Sequence, residues 1–422
     1  SSLCVLWVEM RVLLVVLLCG FCVGWGECGV LAQQHTALKL VQVITRHGDR
    51  VPLHAFPDPS LAVQWNCSLT FLGMTSATSP TVDSVSASRL FRKRYLPQGE
   101  VLLGDCGPGQ LTSIGEEQHR RLGQQFRQYY VDQIGFLPQT FDARRVYVRS
   151  TDIPRTIQSA QSQLLGLYPP EPVDWTEGFP PSQLQVLNID TVEASMEILE
   201  PNAAACPAIK TVEAHIFNST FWQQHEAQVA PFSRHLQEVL RWPAATFPQF
   251  HTLRDMLQDR QAHGLPLPPG ITQQDVDQVT ELAIFRLMYQ YQNQIENCQL
   301  SIGPFVQLLL NNLDRKASGG DDDGYLWKFF SAHDTTLGSL TNCLDIFDGQ
   351  WPPYAGHVVL ELHQLSSPVS EWAVRVLVND TPQLVPSCRD TPLPDHLCPL
   401  SEFRKSLQQI LPSNWAKQCH QP

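Results

Sequence analysis

The stretch from Val41 to Pro52 reads VQVITRHGDRVP. Its first half is a short apolar run rich in β-branched residues, the composition of a strand. Its second half sets two arginines around one histidine, with a glycine directly after that histidine. A strand that ends in such a cluster suits an open α/β sheet, where ligands bind just past the carboxyl ends of the strands. Two further segments are built the same way. Arg149-Ser150-Thr151-Asp152 follows VYV, and Ser331-Ala332-His333-Asp334 follows WKFF.

The flanking sequence supplies the rest of the layers. A strand pattern covers Leu38 to Thr45. Residues 53–110 are rich in Pro, Ser, Thr and Gly and read as an extended loop region. Ser113-x-x-Glu116 has the form of a capping box, and Ile114, Leu122, Phe126 and Tyr129 recur on one face of the helix that it would start. RVYVR (145–149) reads as a short strand, and STDIPRTIQSAQSQLLGL as a helix with a Ser/Thr/Asp start. Residues 170–300 change in texture. Prolines are frequent up to Pro207, and polar helical stretches follow at Phe221–Trp242, Phe250–Ala262 and Asp275–Asn297. A buried helix at Gly303–Leu313, a surface loop KASGGDDDG and a strand in YLWKFFSAHD come next. YAGHVVLELHQ and EWAVRVLVND alternate with period two and form a hairpin. The prediction is an α/β fold with a central mixed sheet flanked by helices. The sheet domain is expected from 35–169 and 301–422, with a smaller, mostly helical cap inserted at 170–300.

With 422 residues and 43% hydrophobic content, the chain can bury a large core. Its net charge is −12 and no basic run occurs, which argues against nucleic acid and anionic membrane surfaces as partners. An anionic substrate then needs a locally positive site. Arg11 and the apolar run Val12–Val23 read as a signal peptide ending near residue 30, with a signal-anchor as the alternative. No later stretch approaches a membrane span. Cys4, Cys19, Cys22 and Cys28 fall in or near that leader, and eight cysteines remain without a C-x-x-C pair. That pattern favours disulfides over a zinc site. Sequons at Asn66, Asn218 and Asn379 agree with a secreted or lysosomal destination.

The three strand ends offer three arginines, two histidines and several carboxylates. Guanidinium forks match phosphoryl oxygens in pairs. A histidine with one ring nitrogen held as a donor and the other free is a nucleophile, and a facing carboxylic acid can protonate a departing oxygen. The scheme needs no metal or cofactor. Taken singly, each feature has a plainer reading: a hydrogen-bonded strand-end histidine, a structural Asp49–Arg50 pair, an arginine capping a carbonyl. The coincidence at three strand ends is what points to chemistry.

At these residues the sequence resembles the histidine acid phosphatase family, the second branch of the histidine phosphatase superfamily. Arg46-His47-Gly48-Asp49-Arg50-Val51-Pro52 fits its R-H-G-x-R-x-P signature, and His333-Asp334 its H-D pair. Arg149 to Thr156 fits R-[SA]-T-x-x-x-R-T, and GQLTSIGEEQHRRLGQQFRQYY its G-x-L-T-x-x-G-x-x-Q helix. The resemblance implies a phosphoglycerate mutase-like fold and an acid phosphatase acting on small phosphomonoesters. By the same carry-over His47 is the nucleophile, Asp334 the proton donor, and Arg46, Arg50, Arg149 and His333 the phosphate-binding set, with an acid pH optimum. Within the family the chain is most similar to lysophosphatidic acid phosphatases and to prostatic and lysosomal acid phosphatases. Asp255 and His263 lie where the family shapes its leaving-group pocket, though an exposed helix face is the default for both. The pairings expected are Cys67–Cys106, Cys206–Cys298 and Cys388–Cys398, leaving Cys343–Cys419.

A phytase-like or inositol polyphosphate phosphatase is the second enzyme reading; it needs more basic residues at the mouth, and the acidic insertion argues against it. A non-catalytic phosphate-binding protein is the reading from another class. A homodimer is an open expectation.

Overall fold

The computed structural model describes residues 36–65, 67, 102–169, 187–319, 323–366, 371–390 and 392–420. The leader, the Asn66 sequon and the middle of the 53–110 loop lie outside them, as do 170–186 and the centre of KASGGDDDG.

Strand β1 (Thr36–Arg46) is the middle of the sheet. Its side chains alternate between two apolar layers. Leu40 and Ile44 join one cluster, and Val41 and Val43 join the other. Both layers are covered by helices, so even Gln42 is buried, its amide donating to the Leu309 carbonyl and accepting from Asn312. Two strands run parallel to it: β2 (Val146–Ser150) and β3 (Trp327–Ala332). β4 (His357–Leu365) and β5 (Trp372–Val378) form the antiparallel hairpin, followed by the short β6 (Thr381–Gln383) and β7 (Cys398–Pro399). The strand order is β2-β3-β1-β4-β5-β6, with β7 also on β5. The sheet is therefore mixed, as the sequence led one to expect.

Register decides where the chemistry lies. Arg46 stands opposite Ala332, and Ser150 opposite Ser331. The three parallel strands thus end level, and their polar tails emerge on one edge. Helix α1 (Ser113–Phe126) and helix α2 (Pro154–Leu167) cover the Val41/Val43 face with Leu122, Phe126, Leu164 and Leu167. The N-cap of α1 is Thr112, one residue before the predicted Ser113, and its hydroxyl accepts from the Gly115 amide. Ile114 and Tyr129 of the expected face are exposed; the buried stripe is Gly115, His119, Leu122 and Phe126.

The region called a cap is helical. It contributes α3 (Ala208–Phe217), α4 (Thr220–Val239), α5 (Phe250–Ala262), α6 (Gln273–Tyr291) and α7 (Ile295–Ser301). Leu236, Leu240, Leu253, Leu257 and Val279 form an apolar cluster that also takes in Leu61 from the loop after β1. Helix α8 (Gly303–Ser318) then returns to cover the Leu40/Ile44 face through Phe305 and Leu309. α9 (Asp334–Cys343) follows β3 directly, and α10 (Leu400–Leu407) and α11 (Trp415–Cys419) close the chain.

Four disulfides are present among the described residues. Cys67–Cys106 and Cys388–Cys398 pair as expected. The other two correct the sequence reading: Cys206 pairs with Cys419, and Cys298 with Cys343. Cys206, just before α3, packs with Leu300 and the C-terminal Cys419. Cys298 of α7 lies in the core layer that also holds Cys343 at the end of α9. Helix packing brings these partners together. Among the described residues no helix is long and apolar enough to cross a membrane.

Candidate active site

His47 follows β1 and is held by it: its amide donates to the Ala332 carbonyl at 3.0 Å. The ring Nδ1 lies 2.8 Å from the Gly48 carbonyl oxygen. A carbonyl only accepts, so Nδ1 carries the proton and Nε2 keeps its lone pair. Burial, then the charges of Arg155, Arg46 and Arg50, push the His47 pKa well below 6.5. The imidazole therefore stays neutral into the acid range.

Gly48 is needed for close approach rather than for a tight turn. A Cβ there would fall 2.6 Å from the Gly115 Cα, and one on Gly115 would fall 2.7 Å from the Asp49 nitrogen. The loop after β1 is pressed onto the first turn of α1, backbone to backbone. Asp49, buried, completes that contact. Its carboxylate accepts from the Thr112 hydroxyl and, at 2.8 Å, pairs with His263 at the end of α5. Asp49 and Arg50 are thus not an ion pair with each other.

Arg50 reaches the other way. Its guanidinium makes a two-point contact with Asp255 of α5, at 2.6 and 3.0 Å, and lies 3.4 Å from Asp259. Burial works against its charge, but Asp255 and Asp259 outweigh burial and raise its pKa. Asp259 accepts from the Tyr354 hydroxyl at 2.6 Å. Asp255 and His263 therefore do not form an exposed helix face; both grip the loop after β1.

His333 and Asp334 arrive on the end of β3. The His47 and His333 rings meet edge to face, 5.6 Å apart. His333 Nε2 lies 3.0 Å from the Thr151 hydroxyl and 3.8 Å from a Glu200 oxygen. Burial, followed by Arg155, lowers the His333 pKa to about 3. Asp334 is the first residue of α9. Its Oδ2 accepts from Arg46 Nη2 at 3.0 Å and from Trp351 Nε1 at 3.2 Å. Burial would raise its pKa, but Arg46 and then Arg50 hold it well below the usual carboxylate range. Arg46 also donates to the Pro352 carbonyl at 2.7 Å and stacks on Tyr354. It sits behind Asp334 rather than on the open wall.

One cavity of about 510 Å³ joins these groups; His47, Arg50, His333 and Asp334 line it. Arg149 does not. Its guanidinium is 2.7 Å from Glu197, which also accepts the Ile198 and Leu199 amides. β2 runs on through Ser150, so Arg149 is still a strand residue and pairs with the neighbouring 190–197 segment. The arginine that reaches the cavity is Arg155, on the first turn of α2. Its Nε is buried without a hydrogen-bond partner among the described residues. Both arginines belong to the R-S-T-D-I-P-R-T block; the second of them, not the expected Arg149, lines the cavity. Sequence reasoning also missed Glu200, Trp351 and Tyr354. The described insertion is not simply acidic towards this space, because it adds Arg254 and Arg286 to the wall. Burial, opposed by Arg155, raises the Glu200 pKa to about 7. Among the described residues the one close trio of potential metal ligands is Cys67, Asp105 and Cys106, and its sulfurs are spent in a disulfide.

Residues 37–379 match the family described as the histidine phosphatase superfamily (branch 2). Counting factor 60 of Dictyostelium discoideum is 34% identical over 386 residues, 90% of this chain and 88% of that protein. Lysosomal acid phosphatase of Rattus norvegicus is 29% identical over 391 residues, covering 92% and 81%. A solved structure of Hafnia alvei phytase in complex with myo-inositol hexakis sulphate superposes with a TM-score of 0.61. It covers 92% of this chain and 99% of the phytase at 16% identity. That last likeness concerns the fold alone.

Proposed function

The chain belongs to the histidine phosphatase superfamily, branch 2, and from that premise we propose that it is an acid phosphatase hydrolysing phosphate monoesters through a phosphohistidine. The observation that carries the reading is the His47 ring. Nδ1–H is committed to the Gly48 carbonyl, and Nε2 keeps its lone pair in a cavity that also holds Arg50, Arg155 and Asp334.

His47 Nε2 attacks phosphorus, and the bond from phosphorus to the ester oxygen breaks. Arg155 and Arg50 hold the phosphoryl oxygens, with Arg46 adding its charge from behind and His333 flanking the nucleophile. Arg155 takes the clamping place first expected of Arg149. The departing alkoxide receives its proton from Asp334. Water then attacks the phosphohistidine, Asp334 takes a proton from it, and phosphate and free His47 result.

Asp334 is ionised in the free protein because Arg46 and Arg50 favour the anion. A bound phosphate neutralises those same arginines and repels the carboxylate, so substrate raises the Asp334 pKa and brings the acid form within reach. The disulfides support a place in the secretory pathway, secreted or lysosomal.

Hydrolysis of p-nitrophenyl phosphate at acid pH tests the reading. Turnover that is lost in His47→Ala and unaffected by EDTA is expected; an EDTA-sensitive reaction would contradict the mechanism. A panel of lysophosphatidic acid, inositol phosphates, nucleotides and phosphosugars then ranks substrates.

A further inference from the structure

Besides the groups set around His47, two arginines on the cavity wall are left without a direct partner among the described residues. Arg50 is already matched by Asp255, and Arg155 faces the phosphoryl position beside His47. Arg254 of α5 and Arg286 of α6 line the same space. Neither makes an ion pair or a hydrogen bond among the described residues. Arg254 lies over the Trp351 ring, 4.6 Å from its centroid, and its Nε is buried without a partner. Trp351 in turn donates to Asp334, so Arg254 stands one ring beyond the group expected to protonate the leaving oxygen. That is the leaving-group side. Arg286 lies 3.8 Å from the Phe217 ring centroid. The carboxylate facing it, Glu213, is occupied by Gln290 at 2.5 Å, and burial raises its pKa. His251, exposed, lines the same side.

Asp334 and Asp255 act on Arg254, and Glu213 and Glu226 on Arg286, yet neither guanidinium meets an acceptor directly among the described residues, so both are open to an anionic ligand. On the reading that the chain is a phosphomonoesterase, we propose that its preferred substrate carries a second anionic group on the leaving alcohol. That group sits at Arg254, with His251 and Arg286 on its far side. The substrate class is a small bis-anionic phosphomonoester, either a bisphosphate or a phosphorylated carboxylate. A flat cationic fork above Trp351 suits either headgroup.

The test is a set of alkyl phosphates of two to five carbons, each ending in methyl, carboxylate or phosphate. kcat/KM is measured at pH 6 for the full chain and for Arg254→Gln and Arg286→Gln. The matching phosphonates, which cannot be hydrolysed, are titrated by calorimetry in parallel. At one chain length at least, a terminal anion is expected to raise kcat/KM and phosphonate affinity about tenfold. Added salt shrinks that gain. Arg254→Gln removes most of it and leaves the methyl-ended series within about twofold; Arg286→Gln removes part. Whichever headgroup gains more identifies the second anion. Equal values for methyl-ended and anion-ended compounds at every length overturn the proposal, as does an Arg254→Gln variant that weakens all three series alike. If no ester is turned over, the phosphatase reading falls, and the phosphonate titrations still decide whether the second anion site exists.

Discussion

Two arginines six positions apart divide the labour between structure and chemistry. Arg149 is spent on Glu197, whose carboxylate also orders the Ile198 and Leu199 amides. Arg155 faces the cavity with no such partner among the described residues. Arg155→Ala should therefore lower kcat/KM by roughly 10²–10³-fold, the usual loss of one charge-stabilising donor, with little change in melting temperature. Arg149→Ala should do the reverse. It leaves Glu197 buried and uncompensated at a cost of about 3 kcal/mol, while turnover per folded molecule stays within a few fold. Asp334 makes its own prediction. Asp334→Asn should slow alkyl phosphates far more than p-nitrophenyl phosphate, whose leaving group hardly needs a proton; equal losses would remove Asp334 from the acid role. The pH profile follows with a definite sign. The depressed His47 pKa keeps the nucleophile unprotonated in acid, and Asp334 must carry a proton when the ester bond breaks. Rates measured from pH 4 to 8 should fall as pH rises, through the Asp334 pKa of the bound complex. A rate that climbs steadily to pH 8 would contradict this.

The strand ends are held by contacts between elements, and these were only half legible. Period-two patterns located the strands, and the level ends of β1, β2 and β3 follow from their parallel pairing. His47, Arg50, His333 and Asp334 were readable because each lies in the first few residues past a strand. Arg149 misled because the strand continues one residue beyond it, and nothing in the sequence alone marks that stop. The Arg50–Asp255 and Asp49–His263 contacts join residues about 200 positions apart, so no local pattern could announce them. Gly48 stands out in the sequence beside His47, but only the fold shows that its lack of a side chain serves the contact with Gly115. Gly48→Ala should therefore push the loop off α1, costing about 2–3 kcal/mol and most of the activity. A thermal melt and an assay on the same preparation check it; unchanged values in both would show that the loop can yield.

Across the whole molecule, α5 grips the loop after β1 from outside the sheet, and one disulfide ties distant parts of the chain together. Cys206–Cys419 spans 213 positions and joins the start of α3 to the last helix. Both partners were visible as cysteines; their pairing was not, because it depends on how helices stack. Replacing the pair by serines should lower stability by roughly 3–5 kcal/mol on the chain-entropy view, visible as a shifted denaturant midpoint. Catalysis per folded molecule should survive, since neither sulfur approaches the cavity. The most direct test of the central claim is chemical. Asp334→Asn, mixed briefly with p-nitrophenyl phosphate and quenched in alkali, should carry one phosphoryl group, mapped by mass spectrometry to His47 and absent when His47 is alanine. Turnover without any phosphorylated enzyme, or with the phosphoryl group on another residue, would contradict it.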